Sequence, residues 1–153
     1  MSETKVIGID LGATNIRAGL VHEGNIHTIQ SKRIKSAGTV EEVLADFYLL
    51  IDTLLDNEVV AIGIGVPSVV DLAKGIVYDV QHIPSWKEVP LKEILEKKYK
   101  LPVYVNNDAN CFALGEFHFG KGRGKSDMIG LSIGTGLGGG AIVNKHLFAG
   151  SNC

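Results

Sequence analysis

Cysteine is scarce in this sequence: only Cys111 and Cys153, far apart and in no metal-ligand spacing. That excludes a disulfide framework and a cysteine metal cluster, and it fits a reducing, cytoplasmic setting. No block of one charge sign exists either. Fifteen Lys and Arg face seventeen Asp and Glu for a net charge of −2, which disfavours nucleic acid as a partner. No apolar run approaches the roughly 20 residues of a membrane span, because glycine breaks each one. The opening Met-Ser-Glu-Thr-Lys leads directly into a strand pattern, with no signal peptide read there. The five histidines show no ligand spacing, and the single tryptophan, Trp86, reads as loop packing. Glycine, by contrast, is abundant. The 19 glycines gather in a few loops instead of repeating, a distribution that points to function rather than low complexity.

The length fits one domain. Val6 to Asp10, Ile16 to Val21 and Asn25 to Ile34 read as three successive strands, the second turn marked by Glu23-Gly24. Thr39 with Glu42 three residues on is a capping-box signature, and apolar residues from Val40 to Leu55 follow at helical spacing. Val59 to Val66 is a continuous apolar run typical of a central strand. A small hairpin is expected near Gly75 to Tyr78. Leu91 to Tyr99 reads as a helix with Pro90 at its first position, Pro102 to Asn106 as a strand, and Asp108 to Phe119 as a helix stopped by Gly120. Gly120 to Ser126 is a basic, glycine-rich stretch expected to be flexible, after which Met128 to Ile133 and Gly140 to Val143 form two more strands. The order is that of an α/β fold with a mixed sheet.

Three segments carry candidate chemistry. In Gly8-Ile-Asp-Leu-Gly-Ala-Thr-Asn-Ile-Arg17, Asp10 ends a strand and Gly12, Thr14 and Asn15 form the turn. Gly12 is free to take positive φ and admit a ligand near the backbone. Backbone N–H groups and the Thr14 hydroxyl suit phosphate oxygens, and Asp10 suits Mg²⁺ held through water. An ordinary hairpin needs fewer special residues than Asp, Gly, Thr and Arg together. Ile133-Gly-Thr-Gly-Leu-Gly-Gly-Gly-Ala-Ile142 contains a G-x-G-x-x-G match, but a strand follows the glycines where a dinucleotide fingerprint needs a helix. A glycine hairpin around phosphate competes here with a hairpin that binds nothing. Gly124-Lys125-Ser126 resembles the end of a Walker A loop, yet Phe119 stands where its first glycine belongs. Asn106-Asn107-Asp108 closes a strand and opens a helix, at the sheet edge where open α/β proteins bind ligands. Capping explains one of the three; Asp108 is placed to accept a proton from an attacking hydroxyl. Gly63 to Ser68 reads equally as a pocket wall beside Asn107 or as a structural turn.

Taken in order, these motifs resemble the ROK family of sugar kinases (repressor, open reading frame, kinase), glucokinase-like. The resemblance runs through D-L-G-A-T-N-I-R, G-V-P-S-V-V-D, I-P-S-W, L-P-V-Y-V-N-N-D-A-N and I-G-T-G-L-G-G-G. It implies the actin-like ATPase superfamily, in which two ribonuclease-H-like domains close on ATP and sugar. It implies a first phosphate loop with Asp10, Gly12, Thr14 and Asn15, and a second with Gly134, Thr135, Gly136, Gly138 and Gly139. Gly65, Asn107 and Asp108 would border the sugar, with Asp108 the catalytic base. Two positions depart from the family: Ser68 replaces a glycine, and His82 stands where asparagine often precedes I-P-x-W. The family's Glu-x-Gly-His sugar motif would begin just past Cys153, and its zinc cluster lies further on, absent from this chain.

Residues 1–122 are thus expected to form an N-terminal ribonuclease-H-like domain and residues 123–153 the start of an incomplete second one. The function implied is ATP- and Mg²⁺-dependent phosphorylation of a hexose hydroxyl, with this fragment alone inactive. A sugar-sensing regulator without its helix-turn-helix is the alternative. A metal-dependent nuclease of the same fold needs more clustered carboxylates than Asp10 and Asp108. Neither nucleic acid nor membrane is an expected partner, whereas the unpaired edges of the last two strands invite a homodimer.

Overall fold

The computed structural model describes residues 4–134 and 136–150. Its elements are β1 (Lys5–Leu11), β2 (Asn15–His22), β3 (Asn25–Arg33), α1 (Val40–Leu54), β4 (Val59–Val66), β5 (Val69–Asp71), β6 (Ile76–Tyr78), β7 (Glu88–Val89), α2 (Leu91–Tyr99), β8 (Val103–Asn107), α3 (Asp108–His118), β9 (Met128–Ile133), β10 (Leu137–Val143) and β11 (His146–Phe148). Five strands make the main sheet in the order β3-β2-β1-β4-β8. The first three pair antiparallel through tight turns, whereas β1, β4 and β8 run parallel because helices supply the crossovers.

Alternation along the strands separates two faces. Ile7, Ile9 and Leu11 of β1 and Ile16 and Ala18 of β2 are buried in one core with Val43, Phe47 and Ile51 of α1 and Leu91 and Leu95 of α2. Gly8, Asp10, Arg17 and Gly19 therefore point to the other face. That face carries α3: a methyl group on Gly65 would lie 3.5 Å from both the Asp108 Cα and the Cys111 Sγ. The far side of α3 meets the second sheet, ordered β11-β10-β9. Gly138 and Gly140 allow that approach, since a Cβ on either would sit 3.0 Å from the Ala109 Cβ or 2.7 Å from the Ala113 Cβ.

Local signals explain most boundaries. The Thr39 hydroxyl accepts from the Glu42 N–H at 3.3 Å and the Glu42 carboxylate accepts from the Thr39 N–H at 3.0 Å, completing the capping box. Glu23 and Gly24 turn at φ 50° and 75°, values that glycine takes at no steric cost. Trp86 is fully buried and stacks on Phe47 at 5.7 Å between ring centroids.

Several expectations change. The segment after β4 forms a three-stranded sheet, β5-β6-β7, instead of one hairpin. Pro90 caps α2 from outside its first turn. Strand β10 begins at Leu137, not Gly140, so Gly138 and Gly139 lie in the strand. The stretch 120–126 folds back on α3, with the Gly122 N–H donating to the Glu116 carbonyl at 2.9 Å and the Lys121 N–H to its carboxylate at 3.1 Å. Strand β11 pairs with β10 and covers one of the edges expected to be open. No helix among the described residues is long and apolar enough to cross a membrane.

Candidate functional site

Register assembles the site. Across the main sheet, Ser31, Arg17, Asp10, Gly65 and Asn106 stand opposite one another on successive strands. The next row inward is Ile29, Gly19, Gly8, Gly63 and Tyr104. A polar row thus ends the open face, and a row with three adjacent glycines floors the space behind it. A cavity of about 1140 Å³ lies over both rows, lined at its polar end by Asp10, Gly12, Arg17, Gly65, Asn106 and Asp108. Its inner reach is apolar, with Ile26, Ile29 and Phe119.

Asp10 and Asp108 share this cavity from different elements. Loss of hydration raises the pKa of Asp10 above the ordinary value of 3.8, the positive charge of Arg17 opposes that rise, and the negative charge of Asp108 adds to it. The first turn is closed by the Gly12 N–H donating to the Asn15 carbonyl at 2.8 Å. Gly12 does not adopt positive φ. Glycine matters there because a Cβ would stand 3.0 Å from that carbonyl. Thr14 and Asn15 are exposed at the tip, where the Asn15 amide donates to the Thr14 hydroxyl at 3.4 Å.

Asn107 caps α3. Its side-chain oxygen accepts from the N–H groups of Ala109 at 2.9 Å and Asn110 at 3.3 Å, while its amide donates to the Ser68 carbonyl at 3.3 Å. The Ser68 hydroxyl donates in turn to the Tyr78 carbonyl. The loop after β4 is thereby tied to the start of α3, and Asp108 occupies the first helical position just beyond the tie. Asn106 accepts from the Asn107 N–H at 2.8 Å and the Asn110 amide at 3.1 Å.

In the second turn, Gly134 and Gly136 are exposed, with open space where a side chain would project, and the Gly134 N–H donates to the Gly136 carbonyl at 2.9 Å. Thr135 lies outside the described residues. Gly138 packs on Ala109 and Gly139 on Leu131, so both have packing reasons to be glycine. The hairpin reaches the cavity through Ser132 instead. Ser132 and the orientation of Arg17 carry no signal in the motifs read from the sequence. For Arg17 the period-two alternation from Ile16 and Ala18 holds the signal. Among the described residues no group of three or more His, Cys, Asp or Glu side chains is arranged to hold a metal.

A mixed sheet ordered in this way, with glycine turns and an aspartate-led helix at one edge, defines a domain of the actin-like ATPase fold. A model of the ROK family matches residues 6–153, and the chain belongs to that family. It is 39% identical over 143 residues to a glucokinase of Streptomyces coelicolor, covering 92% of this chain and 44% of that protein. It is 36% identical over 153 residues to a xylose repressor of Caldicellulosiruptor bescii, covering 95% of this chain and 38% of that protein. Among solved structures, a ROK family glucokinase from Streptomyces griseus in complex with glucose and AMPPNP superimposes with a TM-score of 0.86 at 37% identity, covering 97% of this chain and 47% of that one. The chain spans about half the length of the relatives it matches.

Proposed function

We propose that this chain is the part of a hexose kinase that carries the catalytic base, and that the whole enzyme transfers the γ-phosphoryl group of ATP to a sugar hydroxyl. The observation that carries this reading is Asp108, fixed at the first position of α3 and sharing a cavity with Asp10 and the first glycine turn. Asp108 takes the proton of the attacking hydroxyl as its oxygen bonds to phosphorus and the bridge to ADP breaks. A positioned base contributes about 10²–10⁴ in rate, which is about 3–5 kcal/mol. The turn from Gly12 to Asn15, closed by its own backbone hydrogen bond, and the second turn at Gly134 and Gly136 hold phosphate oxygens. Gly65 leaves room beside Asp108 for the sugar, and Asn107, already engaged in capping, keeps one amide hydrogen for it.

Asp10 fits Mg²⁺ in chemistry: it is a single carboxylate at a strand end, and Mg²⁺ is commonly bound through one or two carboxylates plus water and phosphate oxygens. When bound, the ion offsets charge on the transferring phosphates. Electrostatic offset and positioning supply most of the catalysis in phosphoryl transfer.

Asp108→Asn in the full-length protein that contains this chain should keep sugar affinity and lose at least 100-fold in kcat. Near-normal turnover would remove Asp108 from this role. Residues 1–153 alone should give no turnover in a coupled assay, since half of each site belongs to the remainder of the fold. The xylose repressor relative supports a second reading, a sugar-responsive regulator. Sugar binding with no phosphoryl transfer by the full-length protein, together with a specific DNA complex, would favour it.

A further inference from the structure

Arg17 is the one charged member of the polar row to which the kinase reading gives no task. It stands directly opposite Asp10 on the neighbouring antiparallel strand. Cross-strand partners project to the same face with Cβ atoms about 4.5–5.5 Å apart. The buried neighbours Ile16 and Ala18 fix that face as the one away from the core. Arg17 lines the cavity together with Asp10, Gly12 and Asp108. The flanking row positions add no carboxylate besides Asp10: Ser31 stands on one side, and Gly19 follows along the strand. Among the described residues, Arg17 forms no ion pair within 4.0 Å, whereas Lys5, Lys32, Lys35, Lys74 and Lys87 all do. A guanidinium facing a cavity, beside a turn of backbone donors and without a carboxylate in contact, is chemically matched to phosphate oxygens, which its planar fork binds in pairs.

We propose that Arg17 binds the terminal phosphates of the donor nucleotide, a role that rests on the kinase reading. The guanidinium approaches from the β2 side and the first turn from its own backbone. Arg17 sets donor affinity and the charge around the transferring group, not sugar recognition. Arg123 provides a contrast: it is exposed in the stretch after α3 and does not line the cavity.

The test uses the full-length protein with Arg17→Met, Arg17→Lys and Arg123→Met, measuring kcat, KM for MgATP and sugar dissociation constants. For Arg17→Met, kcat/KM for MgATP should fall about 10–100-fold, the range of one lost hydrogen bond to a charged group. Sugar affinity should stay within about twofold, since uncoupled sites do not share a lost contact. Lysine should recover only part, because it restores charge without the fork. Arg123→Met should stay within about threefold, as a surface change away from the ligand. Equal kcat/KM for Arg17→Met and wild type would overturn the proposal while leaving the kinase reading intact. Should the wild type show no phosphoryl transfer, the kinase reading fails, and calorimetric titration with inorganic triphosphate decides for Arg17. Binding lost in Arg17→Met supports it; equal binding, or none to wild type, overturns it.

Discussion

Replacing Gly140 by alanine puts a methyl group between β10 and α3. It would lie 2.7 Å from the Ala113 Cβ, 2.8 Å from the Ala109 carbonyl oxygen and 3.1 Å from the Asn110 Cα. Two carbons prefer about 3.5–4.0 Å, so the strand and helix must part by about 1 Å. Neither can yield by rotating a flexible side chain, because every atom met belongs to helix backbone or to an alanine methyl. Overpacking of this kind costs about 1–3 kcal/mol. For a chain of this length each kcal/mol lowers the melting midpoint by about 2–4 °C. Thermal melts of residues 1–153, with amide hydrogen exchange, provide the assay. Gly140→Ala should accelerate exchange in β9 and β10 while leaving β1 and β4 protected. Gly136→Ala, at the exposed turn where nothing lies within 4 Å, is the control and should stay within about 0.5 kcal/mol. Ala113→Gly combined with Gly140→Ala removes the nearest clash, so the pair should cost less than the sum of the single changes. A melting midpoint for Gly140→Ala equal to that of Gly136→Ala, or strict additivity with Ala113→Gly, would refute the view that glycine at 140 exists to seat the hairpin on α3.

Two further predictions concern stability. Thr39→Ala removes one half of the capping box of α1 and should lower stability by about 1 kcal/mol, read from urea midpoints at unchanged slope. Asp127 accepts from the Ser126 hydroxyl and from the Asn144 N–H at 3.0 Å, and these bonds hold its carboxyl below the ordinary value of 3.8. A lowered folded-state value stabilises the folded chain above the ordinary carboxylate range, and that contribution is lost as the pH falls through the folded value. Exchange at the Asn144 amide should therefore quicken below about pH 4 relative to an Asp127→Asn variant, whose protection should not titrate.

Much of the fold was legible because its signals are local. Thr39 and Glu42 mark a helix start by chemistry that needs only four residues. Glu23-Gly24 marks a hairpin by backbone preference alone. Asp108 could be placed at a strand-helix junction because Asn107 is a good cap and Val103 to Val105 alternate in burial. The second glycine run was harder to divide. Glycine serves three needs there, an open turn at Gly134 and Gly136, helix contact at Gly138 and Gly140, and contact with Leu131 at Gly139. A sequence shows one letter for all three. The same ambiguity holds at Gly12, where crowding by the Asn15 carbonyl, and not a left-handed backbone, requires it.

The sequence by itself determined most of the elements, the two turns and the identity of the acid at the head of α3, since caps, turns and periodicity are written in neighbouring residues. Only the tertiary structure decided that Ser31, Arg17, Asp10, Gly65 and Asn106 form one row and that Arg17 shares a cavity with both aspartates. That row depends on the register of four strand pairings between residues up to 75 positions apart in sequence number, from Ser31 to Asn106. A slip of one residue in any of them would turn its side chains to the opposite face. Burial of Ile7, Ile9, Leu11, Ile16 and Ala18 against α1 and α2 sets that register, and so the packed face of the sheet fixes what the open face presents.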